Sequence, residues 1–348
     1  MIDVVIPLYN GSSWIEETLA SVFRQSVRPS RVIVVDDGST DDSLKKIAGF
    51  DSVEVVANTG KGPNVARNTG FAMSNAPYIA FLDQDDVWHE NHLQYLMSAY
   101  KAYPDAGLVL SRSKIFWDGK TADFDLSDCS YGTVDAWDAY PQHVFADTPG
   151  VFLFRREILA AEGGWPEAHC GSTDYSIALF LSINRPLIQF MGKTLARRRH
   201  GESRSKTMCR RGQKDWLHHY TVVNADLMQA FASRSMDKTA VEKIRRRHDM
   251  FISVKDMVEA FSRRSLPEFN KSRRQLEQLL RNEPERVQKR FIGRFWGLLK
   301  RHLKYKGTCS PAGFFVLKTV RTLEQITAPW IVCRFLLATR ALKLVLAE

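Results

Sequence analysis

Short apolar runs alternate with amphipathic segments along the first third of the chain. The runs are rich in branched side chains, a pattern typical of strands that are buried on both faces of a sheet. The predicted strands are Ile2–Leu8, Arg31–Val35, Val53–Val56, Tyr78–Leu82 and Leu108–Ser111.

The intervals between these strands carry apolar positions at helical spacing. A capping box at Ser13–Glu16 predicts the start of the first helix near Ile15. Further helices are predicted through Ile47, over Val65–Ser74 and over Asn91–Tyr100. Alternating strands and helices predict an α/β fold, a Rossmann-like, mostly parallel sheet flanked by helices.

The rest of the chain divides in two by its pattern. Residues 112–149 are polar and weakly patterned, which predicts loops, and a strand at Val151–Phe154 and helices at Arg156–Glu162 and Thr173–Asn184 follow. Beyond Lys206 the pattern becomes helical and basic. We therefore predict a catalytic domain over 1–206 and a helical C-terminal region over 207–348.

Polar clusters follow three of the predicted strands. They are Tyr9-Asn10, Asp36-Asp37-Gly38 and Asp83-Gln84-Asp85-Asp86. In parallel α/β sheets, ligands bind beyond the carboxyl ends of the strands. The three clusters therefore predict one ligand site at that edge of the sheet.

The acidic cluster is the candidate metal site. Asp83 and Asp85 are one residue apart at a strand end, where two carboxylates can share Mn²⁺ or Mg²⁺. Such an ion would bridge diphosphate oxygens and stabilise a leaving nucleoside diphosphate. The alternative is an acidic turn that caps the next helix. The position beside two other polar strand ends favours the metal site.

Three other segments are candidates for nucleotide contacts. Asp37 could accept from a ribose hydroxyl or a base N–H, although Gly38 and Ser39 also suit a plain turn. Tyr9 could stack on a nucleobase or be an ordinary rim aromatic. The segment from Gly60 to Asn68 allows close backbone approach to a ligand, and its Lys61 and Arg67 could meet phosphate or sugar.

Two residues further along the chain are candidates with common alternatives. Asp174 could take a proton from an acceptor hydroxyl, or it could be a first-turn acid stabilised by the helix dipole. His200 could ligate the metal or touch diphosphate, whereas a lone histidine in a basic stretch is more often a solvated surface residue.

Composition narrows the class of protein. The chain has 348 residues and is 44% apolar, which suffices for about two globular domains. Five scattered cysteines without a C-x-x-C pair favour a reducing compartment over disulfides or zinc. No signal-peptide pattern begins the chain, so we expect a cytoplasmic protein. No G-x-G-x-x-G follows the first strand, which argues against a dehydrogenase.

Five motifs in order resemble the family 2 glycosyltransferases, which have the GT-A fold. They are Val5–Asn10, Val34–Asp41, Asn58–Gly60, Ala66–Gly70 and Phe81–Asp86. A looser match continues through Phe152–Arg156, Gly163-Gly164-Trp165, Asp174 and His200-Gly201.

The resemblance implies a metal-dependent enzyme that inverts the anomeric centre of a nucleotide sugar. It implies a nucleotide-sugar and metal half over about 1–110 and an acceptor half over 111–206. The nucleotide-binding residues would be Pro7, Tyr9, Asn10, Asp37, Gly60, Arg67 and Asp83. Asp83, Asp85 and His200 would bind Mn²⁺ or Mg²⁺, and Asp174 would be the catalytic base. By family frequency, a UDP-sugar is the preferred donor and a GDP-sugar the next.

Two positions depart from the family pattern near the base. Thr173 stands where the family usually has Glu, and Phe180 lies where it usually has Arg. We therefore keep an alternative function, a catalytically silent GT-A-fold subunit of a glycan assembly complex.

Charge separates the two halves of the chain. Residues 1–200 carry 18 basic and 25 acidic side chains, and residues 201–348 carry 31 and 14. Arg294–Lys306 and Pro329–Ala347 mix apolar with basic residues, which favours a helix lying on an anionic membrane surface over one that spans it. The alternative is a helical accessory domain. Nucleic-acid binding is disfavoured because no recognised motif accompanies the charge. We expect a protein peripheral on the cytoplasmic face, acting on a glycan or lipid-linked acceptor, with its oligomeric state open.

Overall fold

The computed structural model describes residues 1–134, 148–167 and 185–200, together with some positions within 174–181 and within 242–283. The chain divides into two compact units, Met1–His219 and Tyr220–Glu348. The domain boundary at 206/207 and the division of the catalytic domain at about 110 stay predictions.

A mixed sheet of nine strands forms the centre of the described part of the first unit. In chain order the strands are β1 (Ile2–Leu8), β2 (Arg31–Asp36), β3 (Val53–Ala57), β4 (Tyr78–Phe81), β5 (Val87–Trp88), β6 (Leu108–Trp117), β7 (Tyr131–Val134), β8 (Phe152–Arg155) and β9 (Leu187–Arg199). Their order across the sheet is β3-β2-β1-β4-β8-β6-β9-β5, with β7 paired to β9.

The N-terminal strands form the parallel half of this sheet. β3, β2, β1 and β4 pair in parallel, and β8 enters antiparallel between β4 and β6. Leu8 is the register partner of Asp36, and the N–H of Asp37 donates to the carbonyl of Leu8 at 2.8 Å. The strands β1 and β2 therefore end together, which confirms that their polar clusters meet at one edge.

Helices flank the sheet in the first unit. They are α1 (Ile15–Phe23), α2 (Ser43–Ile47), α3 (Pro63–Met73), α4 (His92–Ala102) and α5 (Arg156–Ala161). The second unit, taken by itself, contains α6 (Leu266–Leu280). The predicted capping box is wrong, because Trp14 is the N-cap of α1 and makes no side-chain cap bond. The N–H groups of Trp14 and Ile15 instead donate to the carbonyl of Gly11, each at 3.0 Å.

Helix α3 lies close against the parallel strands because of a glycine. A Cβ atom at Gly70 would lie 2.4 Å from Val5 Cγ1 and 3.2 Å from Val35 Cγ2. On the same side of the domain, the buried ring of Trp165 meets Phe81 edge-on, with ring centroids 5.2 Å apart. This close packing fixes the N-terminal half of α3, which carries Arg67, relative to the end of β4.

The prediction of loops after residue 111 is partly wrong. β6 continues to Trp117 because it pairs with β9, in which charged residues such as Lys193 and Arg197 interrupt the apolar pattern. β7 forms a further strand at Tyr131–Val134, and residues 135–147 lie outside the described residues.

The described part of the second unit contains α6. Its Phe269, Leu276 and Leu280 are buried, and the helix includes most of the predicted helix Ser272–Arg281. Among the described helices, none has the length and apolarity needed to cross a membrane. The predicted surface segments Arg294–Lys306 and Pro329–Ala347 lie outside the described residues.

Candidate active site

The loop after β1 is held by side chains from two neighbouring loops and from the first residue of α2. Four successive backbone N–H groups, from Tyr9 to Ser12, each donate to a side-chain oxygen. The acceptors are, in order, Gln84 Oε1 at 2.7 Å, Ser39 Oγ at 3.0 Å, Ser43 Oγ at 2.9 Å and Asp41 Oδ2 at 2.9 Å. Asn10 has a positive φ of 48°, and its side-chain oxygen accepts from the N–H of Thr40 at 2.8 Å. The predicted stacking ring of Tyr9 is 56% exposed on this ordered loop.

Asp41 is an acidic anchor of the same loop. Partial burial raises the pKa of its carboxyl group, but hydrogen bonds from Ser43 and Ser12 outweigh that effect and bring the pKa to about 2. The group is therefore ionised at neutral pH and can accept several bonds. Its role is to shape the loop that presents Tyr9.

Asp37 holds the loop before α3. One carboxylate oxygen accepts from Asn58 Nδ2 at 2.7 Å and the other from the N–H of Gly62 at 2.9 Å. Lys61 Nζ donates to the backbone carbonyl of Asp37 at 2.9 Å. Gly62 has a φ of 97°, which glycine adopts without strain. The predicted nucleotide residue Asp37 thus also fixes this glycine loop.

Pro7 and Gly60 are two further residues predicted to bind the nucleotide. Pro7 is buried in β1 opposite Val35, one residue before the strand ends. Gly60 is exposed in the loop, and a Cβ atom there would lie 3.0 Å from Val65 Cγ1. A side chain at position 60 would therefore press on the first turn of α3.

Arg67, which is nearly buried, forms an ion pair with the partly exposed Asp83 in the turn that follows β4. Arg67 is 5% exposed; one terminal nitrogen donates to Asp83 Oδ1 at 2.7 Å and the other to Asn64 Oδ1 at 2.7 Å. The guanidinium lies over the ring of Trp165, 4.9 Å from its centroid. The second oxygen of Asp83 accepts from the hydroxyl of Thr148 at 3.3 Å.

Asp85 and His200 face one another across the site. His200 Nε2 lies 2.8 Å from Asp85 Oδ2, and the imidazole is only 6% exposed. Its ring also lies against Trp14, with a centroid distance of 4.0 Å. Within the described residues His200 Nδ1 has no hydrogen-bond partner. The alternative of a solvated surface histidine is therefore wrong.

Arg198 holds the acidic turn by hydrogen bonds to Asp85 and Asp86. It is not among the site residues predicted from the sequence. Its Nε donates to the carbonyl of Asp85 at 3.0 Å, and its backbone N–H donates to Asp86 Oδ1 at 3.0 Å. Its terminal nitrogens pair with Asp118, at 3.1 Å, and with Glu17. The run Arg197-Arg198-Arg199 is the only feature of the sequence that points to Arg198, and it does not reveal which residues Arg198 contacts.

Asp86 is the buried member of the acidic turn. Burial, and then the neighbouring charges of Asp85 and Asp83, raise the pKa of its carboxyl group well above the usual value. Its Oδ2 lies 3.3 Å from the hydroxyl of Thr148, which also donates to Asp83. Asp86 thus supports the turn from within, and Asp83 and Asp85 are the more accessible carboxylates.

The predicted base lies further along the chain. Asp174 is helical and half-buried, while Thr173 and Phe180 lie outside the described residues. Most of the other predicted residues form two groups at the carboxyl edge of the sheet: Tyr9, Asn10 and Asp37 in one, and Arg67, Asp83, Asp85 and His200 in the other.

Two glycosyltransferases are similar to this chain in sequence. TarP of Staphylococcus aureus, a poly(ribitol-phosphate) beta-N-acetylglucosaminyltransferase, is 26% identical over 165 residues, 45% of this chain and 50% of TarP. WfgD of Escherichia coli, a UDP-Glc:alpha-D-GlcNAc-diphosphoundecaprenol beta-1,3-glucosyltransferase, is 32% identical over 101 residues, 28% of this chain and 40% of WfgD. The chain spans about half the length, or less, of these two relatives.

A solved structure extends the similarity of fold. The crystal structure of S. aureus TarS 1–349 in complex with UDP-GlcNAc has a TM-score of 0.59 and 16% identity, covering 87% of this chain and 91% of that one. Residues 3–162 match the family model of glycosyl transferase family 2. These residues carry all five motifs and form a glycosyl transferase family 2 domain, and the fold around them is GT-A.

Proposed function

We propose that this protein is an inverting glycosyltransferase that moves a sugar from a nucleoside-diphosphate sugar, preferably a UDP-sugar, to a hydroxyl group. The observation that carries the proposal is the pairing of Asp85 with His200 at 2.8 Å in the turn that also holds the Arg67–Asp83 pair. Together they put carboxylates and positive charge beside one another, as a metal-bound diphosphate requires. The UDP and UDP-GlcNAc bound by TarS support the choice of donor.

The residues present fit a divalent cation. Asp85 Oδ2 and His200 Nε2 lie 2.8 Å apart, and a carboxylate oxygen and an imidazole nitrogen this close could both be ligands of one ion. No group of three or more His, Cys, Asp or Glu suited to a metal occurs in the described part of the chain. Mg²⁺ commonly uses one or two protein ligands plus substrate phosphates, so this smaller set suits it.

Asp85 and His200 would hold Mn²⁺ or Mg²⁺, with Asp83 in the same turn facing the metal and diphosphate. The ion supplies charge stabilisation for the departing diphosphate. Arg67 lies behind Asp83 and fixes the direction of its carboxylate. Tyr9 offers its exposed ring to the base, and Asn10, Asp37 and Gly60 shape the loops beside it.

The transfer would be one displacement. Asp174 would accept the proton of an acceptor hydroxyl group while the oxygen of that hydroxyl attacks the anomeric carbon. The bond from the anomeric carbon to the diphosphate oxygen would break at the same time. Attack opposite the leaving group inverts the anomeric centre. The half-buried position of Asp174 suits a base that must stay shielded from bulk water yet reach a substrate.

We further propose a cell-surface glycan or lipid-linked acceptor. The names of the relatives support this choice, because TarP acts on poly(ribitol-phosphate) and WfgD on a diphosphoundecaprenol-linked sugar. The excess of 31 basic over 14 acidic residues beyond position 200 would suit attachment to the anionic cytoplasmic leaflet. A silent subunit is the alternative, motivated by Thr173 and Phe180.

A donor-hydrolysis screen tests the proposal. Purified protein with Mn²⁺ or Mg²⁺ would be incubated with a panel of nucleotide sugars, and the released nucleoside diphosphate measured, with Asp85→Ala as the matched inactive variant. One active donor, silenced by the variant and by chelator, is expected. Calorimetry that finds donor binding without hydrolysis or transfer would favour the silent subunit, and no binding of any donor would overturn the proposal.

A further inference from the structure

The side chain of Gln84 joins the loop after β1 to the acidic turn after β4. Its Oε1 accepts from the N–H of Tyr9 at 2.7 Å, and its Nε2 donates to the carbonyl of Tyr9 at 3.0 Å. Its own backbone carbonyl accepts from the hydroxyl of Thr18 at 2.8 Å. Gln84 is therefore part of the acidic turn after β4, and its side chain bonds to both the backbone N–H and the backbone carbonyl of Tyr9.

A glycine makes room for this arrangement. If Gly11 carried a Cβ atom, its three nearest heavy atoms would all belong to the Gln84 amide, at 2.8, 2.9 and 3.0 Å. The amide therefore lies flat against Gly11, and a methyl group at position 11 would displace it. Gly11 keeps its own N–H bond to Ser43, so the loop can remain tied to α2 when the amide moves.

These bonds fix the distance between the two halves of the proposed nucleotide site, the ring of Tyr9 and the carboxylates of Asp83 and Asp85. The Tyr9 ring is exposed, but its main chain is fixed, so the ring is held ready for a base. The carboxylates of Asp83 and Asp85 flank Gln84 in the chain. A ligand with both a base and a diphosphate gains from fixed spacing, because less conformational freedom is lost on binding.

We propose that Gln84 is a positioning residue that fixes the base-stacking ring of Tyr9 relative to the diphosphate-binding carboxylates. This inference rests on the proposed nucleoside-diphosphate site and names a residue that sets its selectivity. Ligands that occupy both halves depend on Gln84. Ligands that occupy the diphosphate half alone do not.

Binding measurements separate these two ligand classes. Calorimetry with Mn²⁺ would use UDP, GDP and inorganic pyrophosphate against wild type, Gln84→Ala and Gln84→Glu. Loss of two hydrogen bonds is expected to raise the Kd of the tighter nucleoside diphosphate roughly three- to ten-fold. The Kd of pyrophosphate is expected to stay within about two-fold. Gln94→Ala, which removes an exposed amide bonded to Ser26, is the matched control and is expected to leave both constants unchanged.

Gly11→Ala supplies an independent second variant. Alone, it is expected to raise the Kd of the nucleoside diphosphate by a similar factor, because the new methyl group displaces the Gln84 amide. In the Gln84→Ala background the same change is expected to add little, since the atoms it would strike are gone. Non-additive effects on the Kd would show that both substitutions act through the contact between Gln84 and Tyr9, whereas additive effects would indicate two independent losses of stability. Hydrogen exchange at the Tyr9 amide is expected to quicken in every variant that frees it.

The outcomes separate the inference from the proposed function. Wild-type protein that binds none of the three ligands overturns the proposed function and the inference with it. Wild-type binding of a nucleoside diphosphate with unchanged affinity in Gln84→Ala, or an equal loss for pyrophosphate, overturns the role of Gln84 and leaves the proposed function standing. Additive effects of Gly11→Ala and Gln84→Ala also contradict the inference.

Discussion

The indole ring of Trp14 lies 4.0 Å from the imidazole of His200, and the two rings are tilted by 38°. Trp14 also donates from Nε1 to Asp118 Oδ1 at 3.3 Å, and Asp118 in turn accepts from Arg198. The residue that ends the loop after β1 is therefore packed on the residue that follows β9. This contact fixes the imidazole plane that faces Asp85.

For the metal site proposed at Asp85 and His200, we expect Trp14→Ala to weaken the apparent affinity for Mn²⁺ about ten-fold or more, because residues that orient metal ligands commonly contribute that much. Trp14→Phe keeps an aromatic ring beside His200 and loses only the bond to Asp118, so a smaller loss is expected. Activity against Mn²⁺ concentration, at temperatures where both variants are folded by circular dichroism, measures this. Equal metal affinities for wild type and Trp14→Ala would show that Trp14 is a core residue only.

We expect the Arg67–Asp83 pair to contribute both to the stability of the fold and to activity. Arg67→Met leaves the carboxylate of Asp83 without its cation, and we expect a loss of roughly 2 to 4 kcal/mol in the free energy of unfolding. Asp83 is 32% exposed on its side chain, so the loss should fall below that of a fully buried pair. Adding Asp83→Asn should recover part of the stability but none of the activity. Urea unfolding of the single and double variants measures the coupling.

A lysine cannot replace Arg198. The guanidinium contacts three groups at once, and an ammonium on a flexible stem cannot reproduce that planar set of bonds. We expect Arg198→Lys to lower kcat at least ten-fold by loosening the turn that holds Asp85. Arg28→Lys, at an exposed position outside the site, is the matched control and should behave as wild type. A normal kcat in Arg198→Lys would place the positioning of Asp85 elsewhere.

The sequence predicts the parallel half of the fold because its signals are local. Tyr78–Phe81 is an uninterrupted apolar run, and only Asp3 interrupts the apolar run of Ile2–Leu8. The polar residues that follow each strand are visible in the sequence itself. β9 escapes prediction because its pairing with β6 buries a strand that carries Arg197, Arg198 and Arg199. Tertiary pairing there overrides the composition of the strand.

Some residues of the candidate site are also visible in local sequence patterns, and others depend on tertiary contacts. Asp83, Asp85 and Asp37 stand out because acidic residues directly follow apolar strands. Gln84 does not stand out, since its importance lies in two bonds to Tyr9 across 75 positions of chain. His200 likewise lies 115 positions from Asp85, and its burial depends on contacts that no local pattern records.

His92 gives the described fold a testable dependence on pH. It is fully buried at the start of α4, where Nδ1 bonds to the hydroxyl of Thr194 at 2.8 Å and the ring stacks on Trp88. Burial, with a smaller contribution from His89, lowers the pKa of its imidazole from 6.5 to about 3. The unfolded chain therefore binds a proton between pH 6.5 and 3 that the folded protein does not.

Stability from His92 is fully present above pH 6.5 and is lost as pH falls towards 3, because the unfolded state takes up the proton first. Relative to pH 7, we expect about 2 kcal/mol to be lost at pH 5 from this group alone. His92→Gln cannot titrate, so its free energy of unfolding should fall less steeply over the same interval, whatever its absolute value. Urea unfolding of both proteins at several pH values measures the two slopes. Parallel slopes would mean that folding does not lower the pKa of His92 and would contradict the prediction.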